Sequence, residues 1–224
     1  MERYSRHSEL IGKLDFQKIK NSKIAVIGSG GLGSTVLQLL ARIGFGEIHH
    51  WDYAILDLPD LNRQILYTSL DIGKPKALLA NQKLKEINPE IKIFSYNEKL
   101  DEHTKIPKVD LVIDCLDNFK SRLVLDKVFF DKGVPVIHAG VFRYIGQITA
   151  LIPGKTQNYA ETFGMESDPK EVTIKEVFPS IVTTLASIQV NEAAKYITGR
   201  TDKMLINKIL VVDLFNNSFD TIEI

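Results

Sequence analysis

Several short stretches of this 224-residue chain carry side chains suited to gripping a nucleotide: Gly28-Ser-Gly-Gly-Leu-Gly33, Asp52, Leu61-Asn-Arg-Gln64, Gly73-Lys-Pro-Lys76 and Asp117-Asn118. Gly28, Gly30 and Gly33, with Gly31 among them, suit a tight strand-to-helix turn whose backbone can approach a phosphate or a ribose. Asp52, at the end of the next strand, is placed to accept from ribose hydroxyls, or to stand as a solvated strand-end carboxylate. Arg63 carries a planar fork that fits phosphate oxygens, although an arginine on a loop is also an ordinary solvated group. Lys76 falls at a helix start with Pro75 in the first turn, where a cation opposes the helix dipole; the placement is intelligible if an anion sits opposite. Asp117 follows an apolar strand and suits Mg²⁺, a hard cation that takes carboxylate and phosphate oxygens. Asp117 or Asn118 would also serve as the cap of the following helix. In order, the series offers a group for each part of ATP.

Those residues need elements to hold them. Lys23 to Ile27, Glu47 to Trp51, Ile91 to Tyr96, Val109 to Ile113 and Val134 to Ala139 read as strands. Leu32 to Ile43, Lys76 to Ile87 and Phe119 to Lys132 read as the helices between them. This alternation predicts an α/β fold: a Rossmann-like, mostly parallel sheet with helices on both faces. A strand over Phe142 to Ile152, then Lys208 to Leu214 and Phe219 to Ile224, would continue it with antiparallel strands on the C-terminal side. Ser180 to Thr198 is an apolar helix closed by Gly199. Residues 153–178 have few apolar positions and read as a mobile crossover loop within a single domain spanning 1–224.

Composition narrows the function classes. With 44% hydrophobic and 25% charged residues the chain can bury a full core. Lys+Arg 28 against Asp+Glu 28 leaves no global field to draw nucleic acid or an acidic membrane, so any anion must be bound locally. The charged amino terminus and the lack of an apolar run of spanning length predict a cytoplasmic protein. The only cysteine, Cys115, permits no internal disulfide and supplies no four-thiolate zinc site.

Together these motifs resemble the superfamily of ATP-dependent activating enzymes for ubiquitin-like proteins, and most closely its bacterial ThiF/MoeB branch. The resemblance extends over Arg3-Tyr-Ser-Arg-His7, the glycine turn, Asp52, Leu61 to Gln64, Gly73 to Lys76, Asp114-Cys-Leu-Asp-Asn118, Gly146-Gln-Ile-Thr149 and Glu192-Ala-Ala-Lys195. It implies that Gly31 and Asp52 hold the nucleoside, that Arg63 and Lys76 bind the phosphates and that Asp117 handles the metal. Arg6 would reach the ATP site of a partner subunit in a homodimer. The expected nucleotide site therefore comprises Gly28, Gly30, Gly31, Gly33, Asp52, Asn62, Arg63, Gln64, Lys76, Asp117 and Asn118; Arg63, Lys76, Asp117 and Arg6 would serve the chemistry. The implied reaction joins the terminal glycine of a small sulfur-carrier protein ending in Gly-Gly to AMP, releasing pyrophosphate. Thiamine and molybdopterin pathways would leave the same ATP site.

The chain also departs from the pattern. The two Cys-x-x-Cys pairs that hold zinc in many relatives are missing, so no zinc is expected, and 153–178 has no cysteine for covalent transfer. Cys115 reads as a buried structural residue rather than a nucleophile. His49, His50 and His138 read as structural, and Trp51 and Phe142 as core aromatics or borders of the carrier's tail. Ala54 stands where a second acid is common, and Pro59-Asp60 replaces a common Ser-Asn; Asp60 near phosphates would repel them unless metal-bridged or turned away. Two alternatives remain at this level. An NAD-dependent oxidoreductase would use Gly28 to Gly33 and Asp52 but leaves Arg63 and Lys76 unexplained. A non-catalytic homologue would keep nucleotide and carrier binding without turnover.

Overall fold

The computed structural model describes residues 3–164 and 176–224. Strand β1 (Lys23–Ile27) pairs in parallel with β2 (Glu47–Trp51), and β2 with β3 (Lys92–Tyr96). On its other side β1 pairs in parallel with β4 (Leu111–Asp114), and β4 with β5 (Val136–Phe142). The antiparallel strands β6 (Ile145–Leu151), β7 (Lys208–Asp213) and β8 (Ser218–Glu223) follow, giving one sheet in the order β3-β2-β1-β4-β5-β6-β7-β8.

Both faces of the parallel half are covered, which is why its strands are continuous apolar runs rather than alternating ones. Ile24 and Val26 join a core with α3 (Gly31–Ile43), α4 (Lys76–Ile87) and α7 (Pro179–Thr198). Ala25 and Ile27 face the opposite core, closed by Leu125 and Val128 of α5 (Phe119–Val128) and Tyr159 of α6 (Tyr159–Phe163). Leu37 and Leu40 of α3 are fully buried, so truncating either to alanine would cost about 2–5 kcal/mol.

Four sequence expectations need adjustment. The amino-terminal helices α1 (Ser5–Ile11) and α2 (Lys13–Asn21) were not foreseen: α1 buries no side chain, and of the short α2 only Ile19 is buried in the core. They are tethered instead: the Tyr4 ring packs over Gly44, Asn88 Nδ2 donates to Tyr4 Oη at 2.7 Å, and a His7 ring nitrogen lies 3.0 Å from the Ile43 carbonyl. The expected strand from Phe142 divides, with β5 running on to Phe142 and the chain turning at Arg143 (φ 52°). The helix expected to reach Lys132 ends at Val128, and a separate 3-10 turn, Phe130–Lys132, closes on Gly133. The crossover 153–178 holds α6, whose start is a reciprocal cap between Asn158 and Glu161; polar residues that read as loop are there a helix signal. Residues 165–175 of that crossover lie outside the described residues.

Candidate active site

The chain leaves β1 toward β2 and β3 on one side and returns through β4 on the other, so the sheet reverses direction between β1 and β4. Open α/β sheets bind ligands in the crevice outside such a switch point. The glycine turn leaves β1 at this place. Gly28 has φ +99°, and a Cβ there would lie 2.7 Å from the Cys115 carbonyl oxygen; at Gly33 a Cβ would run into the Gly28 carbonyl. At Gly31 it would press on Val182 Cγ1 at 3.1 Å and face the Arg63 stem at 3.6 Å. Helix α3 has no side-chain cap, and its first backbone bond is Ser34 N–H to the Gly30 carbonyl at 2.8 Å. The N–H groups of Gly31, Leu32 and Gly33 therefore have no acceptor within their helix, the arrangement that receives anions at helix starts. Beneath the turn, Ser29 Oγ lies 3.1 Å from His50 Nδ1, and Ser95 Oγ lies 2.5 Å from His50 Nε2. Burial lowers the His50 pKa to about 3, so the ring is neutral at ordinary pH, as a structural histidine.

Asp52 ends β2 and is fixed to this turn. Its carboxylate accepts from Ser29 N–H at 2.7 Å and from Ala54 N–H at 2.8 Å. Burial raises its pKa; the two N–H groups and the charge of Lys76 oppose the rise, and the charge of Asp117 adds to it. Asp52, Lys76 and Asp117 thus share one electrostatic neighbourhood. Lys76 reaches it because the chain after β2 runs beside 73–76, with Leu56 N–H donating to the Lys74 carbonyl at 3.0 Å and Lys76 N–H to the Ala54 carbonyl at 2.9 Å. Pro75 sits at the cap of α4 rather than in its first turn, making Lys76 the first helical residue.

The anion opposite Lys76 is the protein's own. Asp60 Oδ2 is 2.9 Å from Lys76 Nζ, Asp60 Oδ1 is 3.6 Å from a terminal nitrogen of Arg63, and Gln64 Nε2 donates to Asp60 Oδ1 at 2.7 Å. Arg63 also donates to the Pro59 carbonyl at 3.0 Å and to Asn62 Oδ1 at 2.9 Å. Burial alone would raise the Asp60 pKa, but the hydrogen bonds from Lys76 and Asp57 N–H and the charges of Lys76 and Arg63 hold it below the usual carboxylate value. Gln64 is buried against Gly30, and its Oε1 has no hydrogen-bond partner among the described residues. An unmatched polar atom, uncapped N–H groups and two cations on one crevice fit a phosphorylated ligand.

The remaining expected residues divide. Asn118 caps α5, accepting from Ser121 N–H at 2.9 Å, and donates to Asp117 at 3.1 Å, which leaves the exposed Asp117 carboxylate facing solvent. Arg6 lies elsewhere: α1 is tethered beside Gly44 and Asn88, which precede β2 and β3, at the end of the sheet opposite the glycine turn. It is exposed and does not join its own chain's crevice. Cys115 is buried, and burial pushes its thiol pKa well above the ordinary value, as for a structural cysteine. Trp51 is core, stacked on Tyr96 with ring centroids 4.2 Å apart, whereas Phe142 is 38% exposed beneath the Arg143 guanidinium.

Two features behind the crevice escaped the sequence. Tyr67 Oη donates to the Ser29 carbonyl at 2.9 Å, bracing the glycine turn. Asp114 Oδ2 lies 2.7 Å from His138 Nδ1 and 3.2 Å from Arg122 Nε, the latter an ion pair off the hydrogen-bonding angle. Arg122 also donates to the carbonyls of Leu116 at 2.6 Å and Ala139 at 3.1 Å, and Gln189 Nε2 to that of Asp114 at 2.7 Å. Only the Asp-Cys-Leu-Asp-Asn motif hinted at this cluster; Arg122 comes from the helix that directly follows β4, and Gln189 from the distant α7. A separate open cleft of about 530 Å³, lined by Thr149, Lys155, Gln157, Glu161 and Asn207, shares no residue with the glycine turn or its cations. The converging charges, rather than that cleft, mark the candidate site. Among the described residues no group of three or more His, Cys, Asp or Glu side chains is arranged to hold a metal, and no helix is long and apolar enough to cross a membrane.

A mixed sheet with a glycine turn, a strand-end acid and paired cations at its switch point is the architecture of a nucleotide-binding α/β protein. The chain belongs to the ThiF family, whose model matches residues 4–224, and it is an adenylyltransferase of that family. It is 31% identical over 230 residues to the molybdopterin-synthase adenylyltransferase of Haemophilus influenzae, covering 99% of this chain and 94% of that protein. It is 29% identical over 230 residues to the SAMP-activating enzyme E1 of Haloferax volcanii, covering 99% of this chain and 84% of that protein. Its fold matches a crystal structure of E. coli MccB with MccA-N7isoASN at a TM-score of 0.84 and 26% identity, over 99% of this chain and 71% of that one. Family membership removes the oxidoreductase alternative.

Proposed function

We propose that this chain uses ATP to adenylate the C-terminal glycine carboxylate of a small ubiquitin-like sulfur-carrier protein ending in Gly-Gly. The observation that carries the reading is the convergence of Lys76 and Arg63 beside the uncapped start of α3, with Asp52 fixed to the same turn. Asp52 would accept from ribose hydroxyls while its bonds to Ser29 and Ala54 N–H hold it in register. Lys76 and Arg63 would lie along the outer phosphates.

The reaction itself asks for charge neutralisation and alignment. An oxygen of the carrier's carboxylate forms a bond to the α-phosphorus, the bond from that phosphorus to the bridging oxygen of the β-phosphate breaks, and the electron pair leaves with pyrophosphate. No proton moves and no protein nucleophile is required, which agrees with a buried, poorly acidic Cys115. Arg63 and Lys76 stabilise negative charge accumulating on the leaving group, a preorganised electrostatic effect of about 3–4 kcal/mol for a single well-placed donor. The exposed Asp117 carboxylate, close enough to Asp52 to raise its pKa, suits Mg²⁺, which supplies further neutralisation of the phosphates when bound.

The resemblance to the activating enzymes implies that Arg6, exposed at the opposite end of the sheet from its own crevice, acts on a partner subunit's nucleotide in a homodimer. Carrier-dependent exchange of labelled pyrophosphate into ATP tests the reading: wild type with a Gly-Gly carrier should exchange, and Arg63→Ala should lose about 10²–10³-fold. Absence of exchange with every Gly-Gly carrier would contradict it.

A further inference from the structure

The cations assigned to the triphosphate already have an anion. Asp60 is paired to Lys76 at 2.9 Å and to Arg63 at 3.6 Å, and it accepts from the buried Gln64 amide at 2.7 Å. The 3-10 turn Leu58–Asn62 holds it there, with Asp57 N–H donating to Asp60 Oδ2 at 3.1 Å. Lys76 is almost wholly buried, so its ammonium has little water to fall back on, and Asp60 keeps it solvated in the absence of a ligand. Asp52 and Asp60 balance Lys76 and Arg63, and the exposed Asp117 nearby adds a further negative charge.

We propose that Asp60 is an internal counter-ion, which the phosphate chain of ATP must displace from Lys76 and Arg63 and which reclaims both cations as pyrophosphate departs. The inference rests on the nucleotide-site reading above. Displacement sets a threshold: only a ligand bringing several negative charges to both cations can replace a carboxylate already in place. One extra negative charge within a few ångströms of the phosphates, at the dielectric of a protein surface, weakens triphosphate binding by at least about tenfold. The same charge speeds release of the pyrophosphate product. Adenosine, with no phosphates, does not meet Asp60 and is indifferent to it.

The test compares wild type and Asp60→Asn by calorimetric titration of the full chain with ATP and with adenosine. Asparagine keeps the size and one acceptor oxygen, for Gln64 or for Asp57 N–H, while removing the charge and turning the other oxygen into a donor; Asp60→Ser is the second variant should the first fold poorly. The neutral variants should bind ATP about tenfold more tightly, release pyrophosphate more slowly and bind adenosine as wild type does. Unchanged or weaker ATP binding, or an equal tightening toward adenosine, would overturn the counter-ion role. Should wild type bind neither ATP nor adenosine, the nucleotide reading itself falls. The role of Asp60 is then judged on inorganic pyrophosphate, where an affinity no higher in Asp60→Asn overturns it independently.

Discussion

Two sets of opposite charges flank the same crevice and behave as different devices. Asp60 with Lys76 and Arg63 is open at its rim, the Asp60 and Arg63 side chains being 16% and 28% exposed. Asp114 with Arg122 and His138 is sealed behind α5 and α6, with Asp114 at 2% exposure. Burial would raise the Asp114 pKa, but Arg122 and the His138 hydrogen bond outweigh it and hold the group ionised. A sealed pair cannot exchange partners, because removing either member strands a charge away from water. An open pair can trade its anion for one from solution. The open set can therefore handle a substrate, while the sealed set fixes the ends of β4 and β5 against which the substrate would be held.

The largest expected effect follows from that contrast. Arg122→Met leaves the Asp114 carboxylate buried and undercompensated, and urea unfolding should show a loss of about 3–5 kcal/mol. Arg63→Ala should change stability by no more than about 1 kcal/mol, since its pairing is partly solvated, while pyrophosphate exchange falls about 10²–10³-fold. If the two variants were equally destabilised, the distinction between open and sealed would be lost.

A pH series sharpens the same comparison. His50 titrates near 6.5 in the unfolded chain and at about 3 when folded, because burial disfavours its charged form. Burial likewise lowers His138, against the pull of Asp114. Below pH 6.5 the unfolded state takes up a proton that the folded state refuses, so stability falls as pH drops from 6.5 toward 3. His50 alone contributes a slope of about 1.4 kcal/mol per pH unit, and His50→Asn should flatten the curve by that amount. A wild-type curve with no slope between pH 6 and about 4 would show these histidines to be reached by solvent. The smallest effect is expected at the separate cleft near β6, where Lys155→Ala should leave stability within about 0.5 kcal/mol and exchange unchanged. A collapse of exchange in that variant would move the site.

Much of this was legible in the chain, for identifiable reasons. The bounds of β2 and α4 coincide with those expected, because β-branched and aromatic residues fill Glu47–Trp51 and apolar spacing runs from Lys76 to Ile87 before Asn88-Pro89. The glycine turn, Asp52, Arg63, Gln64 and Lys76 lie together in the structure, a grouping that the family resemblance implied and that spacing alone did not. Helices α1 and α2 went unread because they are short: α1 buries no side chain and is held by long-range ties at Tyr4 and His7, and α2 buries only Ile19. The partner of Lys76 was likewise hidden. Asp60 appeared in the sequence as an obstacle near phosphates, and only the fold-back of residues 54–57 along 73–76 brings its carboxylate onto the lysine. Gln189 joins Asp114 through long-range packing that no local spacing encodes, while Arg122 reaches it from the turn of helix directly after β4.

The central claim is that the open cations activate another protein's terminal carboxylate as an adenylate. Intact-mass spectrometry of a Gly-Gly carrier incubated with this chain, ATP and Mg²⁺ addresses it directly. The account predicts a carrier population heavier by one AMP, formed with wild type and lost with Arg63→Ala. A carrier whose mass stays unchanged with wild type, or an adenylate formed equally well by Arg63→Ala, would contradict it.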